Sequence, residues 1–356
     1  MNKVKVGIYG VGLIGGSLGL ALKNFSSDYV IYGFGRNPEK LKIAKKLGAI
    51  DYYSVSEKHL NKIDILVLAT PVLVMPDILK KVKSYLESSC IITDVGSTKT
   101  YVEREIKKIA PEFEFVPAHP MAGSEKVGVL HADPYLFENA VCIICSNPRK
   151  KSTKKVVKMW QTTGIKIIYL SSKKHDDLIS IISHIPHIVA SSLVNLTFKE
   201  KLLLTLAAGG FKDTTRIASS DENLWTNIIK TNRNFILRNL KTFLSILQNF
   251  QNALEKENYR FIKSFLKKAK ERRNSIPSYQ KGIIASVYDL VVSVPDKPGV
   301  LATLTGLLAK EKINIIDIEV LKVREGYGGS IKFSFLSLKE YKKAKEIFKK
   351  NKIKFL

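Results

Sequence analysis

Three glycines near the start of the chain constrain its fold more than any other feature. Gly10, Gly12 and Gly15 follow a β-prone run at residues 3–9 and lead into a helical pattern that continues through Leu22. The first glycine allows a tight turn, the second lets the backbone approach a pyrophosphate, and the third lets the helix pack on the strand. The pattern predicts a Rossmann-like dinucleotide-binding domain in an α/β fold.

The expected cofactor site includes the helix start and the end of a later strand. Leu13 and Ile14 open the helix, so their N–H groups can bind the phosphates. Thr70 and Pro71 end a buried parallel strand at residues 64–70, on the sheet edge where ligands bind.

The end of the second strand, at residues 29–34, bears on the choice of cofactor. An acidic residue usually follows this strand and holds the ribose hydroxyls of NAD. This chain has Gly35 and Arg36 there. An arginine without a carboxylate favours a ribose 2′-phosphate, so NADP is expected over NAD. Stacking of Arg36 on the adenine ring is the alternative interpretation.

Two candidate catalytic side chains follow later strands. His119 comes after the apolar run 113–116, so it is expected where a strand gives way to a loop. Its imidazole can take a proton from a hydroxyl while a hydride leaves the same carbon. Ser97 can hydrogen-bond that hydroxyl, with the Lys99 ammonium at the same sheet edge. The alternatives are a histidine that fixes a Pro-Gly turn and a serine that caps the helix from Thr100.

The pattern becomes helical after residue 170. His184 and His187 are three residues apart and share a face, with Pro186 opening or kinking the helix. They are core, capping or metal-binding histidines, but no nearby group of cysteines or carboxylates supports a metal, and none is expected. Arg216 is suited to a bidentate bond with a carboxylate. An ion pair with Asp213, one turn away, is compatible with that role.

Apolar residues recur in steps of three and four from Ile236 to Phe265. They predict one long helix whose apolar face either forms a homodimer interface or packs within its own domain. After a break at residues 272–278, the C-terminal residues are predicted to form a ferredoxin-like β-α-β-β-α unit.

Composition limits the class of protein. The 356 residues are 45% apolar, enough for several domain cores. No stretch approaches ~18 apolar residues without charge, and a strand begins almost at the N-terminus. A cytoplasmic protein without a membrane segment is therefore expected. Cys90, Cys142 and Cys145 are expected to be buried and reduced.

The net charge of +26 suggests nucleic-acid binding as an alternative function. The lysines, however, gather on polar helix faces without interleaved aromatic residues. We therefore expect no nucleic-acid partner, and a positive field that attracts small anions.

The motifs are more specific together than singly. They are the glycine turn, Asp94–Lys99, His119–Glu125, His175–Asp176, Ser183–His187, Gly210–Arg216 and Trp225. Over residues 3–275 this combination resembles the prephenate and arogenate dehydrogenase family of tyrosine biosynthesis. The resemblance implies oxidative decarboxylation of prephenate to 4-hydroxyphenylpyruvate with NAD or NADP, by a homodimer with a helical substrate and dimerisation domain.

The resemblance also implies roles for individual residues. His119 is the catalytic base, Ser97 orients the substrate hydroxyl and Arg216 holds the ring carboxylate. The other substrate-binding residues implied are Glu125, His175, His184, His187 and Asp213.

Other functions remain open from the sequence. Arogenate, with an amino group in place of the keto group, is the close alternative substrate, and His187 favours prephenate. A β-hydroxyacid or imine reductase would share the Rossmann half, but would not explain His119 and Arg216 together. A non-catalytic nucleotide or amino-acid sensor is the third possibility.

The segment Val294–Leu301 resembles an ACT domain, a module that binds amino acids. Pro298 and Gly299 place a helix start at a tight turn, which favours an α-carboxylate, and Asp296 can meet the ammonium. L-Tyrosine, the pathway end product, is the expected effector. The predicted domains are residues 1–170, 171–275 and 287–356.

Overall fold

The computed structural model describes residues 3–123, 126–276, 288–295, 297–324 and 328–355. Six parallel strands form the first sheet, in the order β3-β2-β1-β4-β5-β6. They are β1 (Val4–Tyr9), β2 (Tyr29–Phe34), β3 (Tyr52–Ser54), β4 (Ile65–Leu68), β5 (Ile91–Asp94) and β6 (Glu114–Val116). The connecting helices are α1 (Leu13–Phe25), α2 (Pro38–Lys46), α3 (Met75–Val82) and α4 (Thr100–Ile109). This strand order confirms the predicted Rossmann-like domain.

A second, three-stranded sheet follows directly. Its strands, in the order β7-β8-β9, are β7 (Ala118–Pro120), β8 (Val141–Ile144) and β9 (Lys166–Tyr169), and helix α5 (Lys151–Gln161) links β8 to β9. His119 is therefore not at the end of a strand, as predicted, but in the middle of β7, where it pairs antiparallel with Ile143. The reason is that the chain re-enters a sheet two residues after β6 instead of forming a loop.

The chain is helical after β9. Helix α6 (Ser172–Ile179), a π-helical turn (Ser180–His184) and α7 (Ile185–Leu196) follow one another without a break. Pro186 lies at the start of α7, where a missing N–H is tolerated. The next helices are α8 (Leu202–Leu206), α9 (Gly209–Thr215) and α10 (Glu222–Thr231).

By length and composition alone, the run Ser172–Lys199 could cross a membrane. It also carries three buried polar side chains, His175, Asp176 and His184, that bond to neighbouring elements. Such bonded polar groups favour a core helix over a membrane span.

The prediction of one long helix after residue 236 is wrong. The structure has two helices, α11 (Arg233–Glu255) and α12 (Tyr259–Asn274). Glu257 adopts a left-handed conformation with φ of 51°, and the Asn258 side chain accepts a hydrogen bond from the first turn of α12. This local cap ends the periodic helix, and the ring of Phe250 then packs 5.2 Å from that of Phe265.

The C-terminal residues form a separate unit with an antiparallel sheet of order β11-β12-β10-β13. Its elements are β10 (Tyr288–Val294), α13 (Val300–Lys310), β11 (Asp317–Arg324), β12 (Gly328–Phe335), α14 (Leu338–Lys350) and β13 (Lys354–Phe355). Val292, Phe333 and Phe348 are fully buried between sheet and helices. The predicted β-α-β-β-α order is confirmed, with β13 as an added edge strand.

Candidate active site

The glycine turn has the shape of a phosphate cradle. Gly10 has φ of +101°, and a Cβ there would lie 2.6 Å from the Ala69 carbonyl oxygen. A Cβ on Gly15 would lie 2.4 Å from the Gly10 carbonyl oxygen, whereas no described atom lies within 4 Å of a Cβ on Gly12. Since α1 begins at Leu13, its free N–H groups face the open space at Gly12. These residues fit a dinucleotide.

The other expected cofactor residues are at the same sheet edge. Thr70 and Pro71 follow β4 after one intervening residue, Ala69, and Thr70 Cγ2 lies against Gly10. Within the described ranges, the buried Thr70 Oγ1 has no hydrogen-bond partner. Gly35 and Arg36 follow β2, and Arg36 is exposed.

A chain of three side chains begins at His119. Its Nδ1 is 2.7 Å from His175 Nε2, and His175 Nδ1 is 2.8 Å from Asp176 Oδ1. An ionised carboxylate only accepts, so His175 Nδ1 carries the proton and His175 Nε2 accepts one from His119 Nδ1. The bonding pattern thus leaves His119 Nε2 unprotonated, which a general base requires.

The surroundings keep this base neutral. Burial lowers the pKa of His119 well below its usual value, and His175 and Lys99 lower it further. Burial also lowers the pKa of His175, although its bond to Asp176 acts in the opposite direction. For Asp176 itself, burial would raise the pKa, but hydrogen bonds from His175, Lys99 and Thr100 hold it below the usual value.

Lys99 lies inside the domain and not at the cofactor edge where the sequence placed it. Its ammonium is fully buried, pairs with Asp94 and donates to the Ala118 carbonyl oxygen at 2.7 Å. Asp94 in turn accepts from the Ala118 N–H at 3.2 Å and the Gly96 N–H at 2.9 Å. This ion pair fixes the residue before His119. In the sequence, the only sign of this ion pair is two opposite charges that flank a strand end.

Ser97 lies half-buried in the loop between β5 and α4. The alternative that it caps α4 is wrong, because the helix start has no cap from this side chain. The Asp176 carboxylate takes that place instead, accepting the N–H groups of Lys99 and Thr100, each at 2.8 Å.

His184 and His187, the two remaining histidines predicted for the site, lie beside Trp225. The imidazole of His187 stacks on the indole with ring centres 3.5 Å apart. Asn232 Nδ2 donates to the Asp176 carbonyl oxygen at 2.9 Å and lies 3.0 Å from His184 Nδ1. Burial lowers the pKa of His184 to about 4 and also lowers that of His187, where contact with the Ile217 main chain compensates in part. Asn232 belongs to none of the sequence motifs described above.

Arg216 and Asp213 are exposed at the end of α9. The turn that Arg216 opens also contains Ile217, whose main chain contacts His187. Arg216 is therefore near the stacked histidine. Glu125 lies outside the described residues. In the part of the chain that the structure describes, no group of three or more His, Cys, Asp or Glu side chains could hold a metal ion.

Three family models match the chain. They are the prephenate dehydrogenase nucleotide-binding domain at residues 18–169, the prephenate dehydrogenase dimerization domain at 171–268 and the ACT domain at 288–350. Prephenate dehydrogenase from Bacillus subtilis is 38% identical over 97% of this chain and 96% of its own length. Prephenate dehydrogenase from Lactococcus lactis is 33% identical over 97% and 98%.

Solved structures agree with these matches. Prephenate dehydrogenase from Aquifex aeolicus, crystallised with hydroxyphenyl propionate and NAD+, is 31% identical with a TM-score of 0.73, over 78% of this chain and 99% of its own. Arogenate dehydrogenase from Synechocystis is 25% identical with a TM-score of 0.68, over 76% and 99%. The chain therefore belongs to the prephenate dehydrogenase family.

Proposed function

We propose that this chain oxidises prephenate with a nicotinamide dinucleotide and releases carbon dioxide and 4-hydroxyphenylpyruvate. The observation that carries the proposal is the bond from His119 to His175 and on to Asp176. It leaves a neutral imidazole nitrogen on the residue after Ala118, which bonds to Asp94 at the carboxyl end of β5, the sheet edge suited to the cofactor. The likeness to prephenate dehydrogenases over nearly the whole chain supports the same reaction.

The cofactor would lie on the glycine turn. The N–H groups of the α1 start would hold the pyrophosphate at Gly12, with Thr70 and Pro71 nearby. The exposed Arg36, with Gly35 in place of an acid, favours NADP+ at least as much as NAD+. When bound, the nicotinamide ring supplies the acceptor for the hydride.

The side chains of this chain handle the substrate and its proton. Ser97 orients the ring hydroxyl, and His119 Nε2 takes the hydroxyl proton as hydride leaves the same carbon. The electron pair of the breaking bond to the ring carboxylate then completes the aromatic ring, carbon dioxide leaves, and the ring oxygen takes the proton back from His119 to give the phenol of the product. Arg216 holds that carboxylate until then, and His187, stacked on Trp225, forms a wall of the pocket.

A spectrophotometric assay with two substrates and two cofactors tests the proposal. We expect reduced cofactor to form with prephenate, with NADP+ at least as good as NAD+. Turnover of arogenate alone would assign the alternative activity. Cofactor binding without turnover of either substrate would indicate a nucleotide sensor and contradict the proposal.

The helical domain is also proposed to form a homodimer in the cytoplasm. It matches a dimerization domain, and α11 exposes several large apolar side chains, namely Leu237, Leu244, Leu247 and Leu254. These residues are spaced by seven and three, so they share one face of α11, as the residues of a helix–helix interface do. Light scattering that gives the mass of one chain would contradict the dimer.

The C-terminal unit is proposed to bind L-tyrosine, which lowers dehydrogenase activity. A cleft of about 260 Å³ lies at the start of α13, lined by Pro298, Gly299, Val300, Val320 and Ile331 among others. Gly299, with φ of 86°, precedes the helix and, having no side chain, does not cap its first turn. An α-carboxylate suits such a helix start. Asp296, the expected partner of the ammonium, lies outside the described residues.

Tyrosine also resembles the product, so it could instead act by occupying the active site. Val320→Trp fills the C-terminal cleft and leaves the catalytic unit unchanged. We expect this variant, and a chain ending near Ser278, to lose most of the inhibition. Full tyrosine sensitivity in both would place the inhibitor at the active site.

A further inference from the structure

We propose that Asp176, acting through His175, is a positioning residue that fixes the tautomer of His119. This inference rests on the proposed function, because a tautomer matters only if His119 accepts a proton. Asp176 does not touch the substrate side of His119, since His175 stands between them.

Burial makes the arrangement rigid. His175 and Asp176 are both fully buried, so water cannot replace either partner. Asp176 Oδ1 accepts from His175 and from the Lys99 N–H, and Oδ2 accepts from the Thr100 N–H. Its own carbonyl oxygen accepts from Asn232 at 2.9 Å. With the carboxylate held from several sides, His175 can orient only one way, with Nε2 as the acceptor facing His119.

The same carboxylate joins the two domains of the catalytic unit. Asp176 lies on α6, whereas Lys99 and Thr100 begin α4 of the Rossmann-like domain. The loop before α4 carries Ser97. Asp176 thus determines which nitrogen of His119 carries the proton. It also anchors the loop that carries Ser97, the residue that orients the substrate hydroxyl.

A purely structural cap is the competing explanation, and His175 variants separate the two. His175→Gln puts an amide oxygen near the former Nε2, where it can accept from His119 Nδ1. His175→Asn is too short to reach. Both leave the cap on Lys99 and Thr100 intact. Asp176→Asn is less selective, because Oδ1 accepts from both His175 and the Lys99 N–H: an amide nitrogen in that place donates to His175 and reverses the proton order, but it also loses the Lys99 half of the cap.

Asp177→Asn is the matched control. Asp177 is the next residue on α6, pairs with Arg238 and accepts from Asn239 at 2.9 Å, away from His119. We expect wild-type kcat from this variant.

The test measures kcat and KM with prephenate in the full-length enzyme, with thermal unfolding as a check on folding. His175→Asn and Asp176→Asn should each lower kcat ~100-fold with KM nearly unchanged, and His175→Gln should regain at least ~10-fold of that loss. If His175→Asn fails to fold, the kcat of Asp176→Asn is compared with that of Asp177→Asn instead.

Wild-type kcat in the Asn variants, or a Gln variant no better than Asn, would overturn the inference while leaving the proposed function in place. A wild-type enzyme that turns over neither prephenate nor arogenate would overturn the proposed function, and the inference with it.

Discussion

The glycine turn and the histidine cluster are two binding regions of one catalytic unit, built from different atoms. The histidine cluster is the network of buried groups formed by Asp94, Lys99, His119, His175, Asp176, His184 and Asn232. The turn is backbone, formed within residues 10–15, and its shape depends on missing Cβ atoms. The cluster is made of buried residues from β5, β7, α6 and the π-helical turn after it, the residue before α4, and Asn232 between α10 and α11, and these residues bond to one another. A backbone site is contained in a short stretch of sequence, whereas a side-chain network exists only after distant elements have packed.

The difference predicts different responses to substitution. In the network each buried charge depends on its partner, so removing one leaves another without compensation. In the turn, the added volume of a single methyl group decides the outcome.

The largest expected effect is on the network. Lys99→Met leaves the Asp94 carboxylate buried without its cation, so the free energy of unfolding should fall by about 3–5 kcal/mol. Lys80→Met is the matched control, because Lys80 forms an exposed pair with Asp77 and should cost less than about 1 kcal/mol. Urea unfolding at pH 7 measures both. Equal losses would contradict a network held by its buried ion pair.

Acid should also weaken the network. The pKa of His184 is lowered to about 4 by burial, so between pH 6.5 and 4 the unfolded chain binds a proton that the folded one excludes. The free energy of unfolding should therefore fall as the pH drops through this window, by up to roughly 3 kcal/mol from this residue. His184→Asn, whose amide oxygen lies near the former Nδ1 and can still accept from Asn232, should remove that part of the slope. An unchanged slope would show that His184 is not its source.

Two substitutions in the glycine turn should affect folding and cofactor binding separately. Gly15→Ala forces a Cβ onto the Gly10 carbonyl oxygen and should destabilise the fold by about 1–3 kcal/mol. Gly12→Ala meets open space, so stability should hardly change, but its methyl group occupies the expected pyrophosphate position. We expect its cofactor dissociation constant to rise ~10-fold, about 1.4 kcal/mol. Wild-type cofactor affinity in Gly12→Ala would mean that the phosphates bind elsewhere.

The smallest expected effect is at the part of the cofactor site that binds the adenosine ribose. Gly35→Asp places a carboxylate where a 2′-phosphate would bind, and should shift kcat/KM from NADP+ towards NAD+ by ~10-fold, about 1.4 kcal/mol. The ratio of kcat/KM for the two cofactors measures this shift. A wild-type enzyme that uses NAD+ strongly and NADP+ hardly at all would show that Arg36 faces away from the cofactor.

The same division, between a local backbone turn and a side-chain network, decides what could be predicted from the sequence. The glycine turn, the Rossmann-like domain that it opens and the ACT fold were predictable because their signals are local. Lys99 was placed at the wrong edge and Asp176 was given no role, because the bonds that fix them include partners 19 to 77 residues away in the chain, as Ala118 and Asp176 are from Lys99. The helix break at Asn258 was missed because a single side-chain cap outweighed an unbroken apolar period.

The turnover of His119→Asn tests the central claim most directly, because the network is built around that imidazole. With prephenate and the preferred cofactor, we expect kcat to fall ~100-fold or more while KM for the cofactor stays nearly unchanged. That result would show, in a single variant, that the side-chain site has lost its catalytic function while the backbone site still binds the cofactor. Wild-type kcat in His119→Asn would show that the histidine only supports the fold, and would contradict the account.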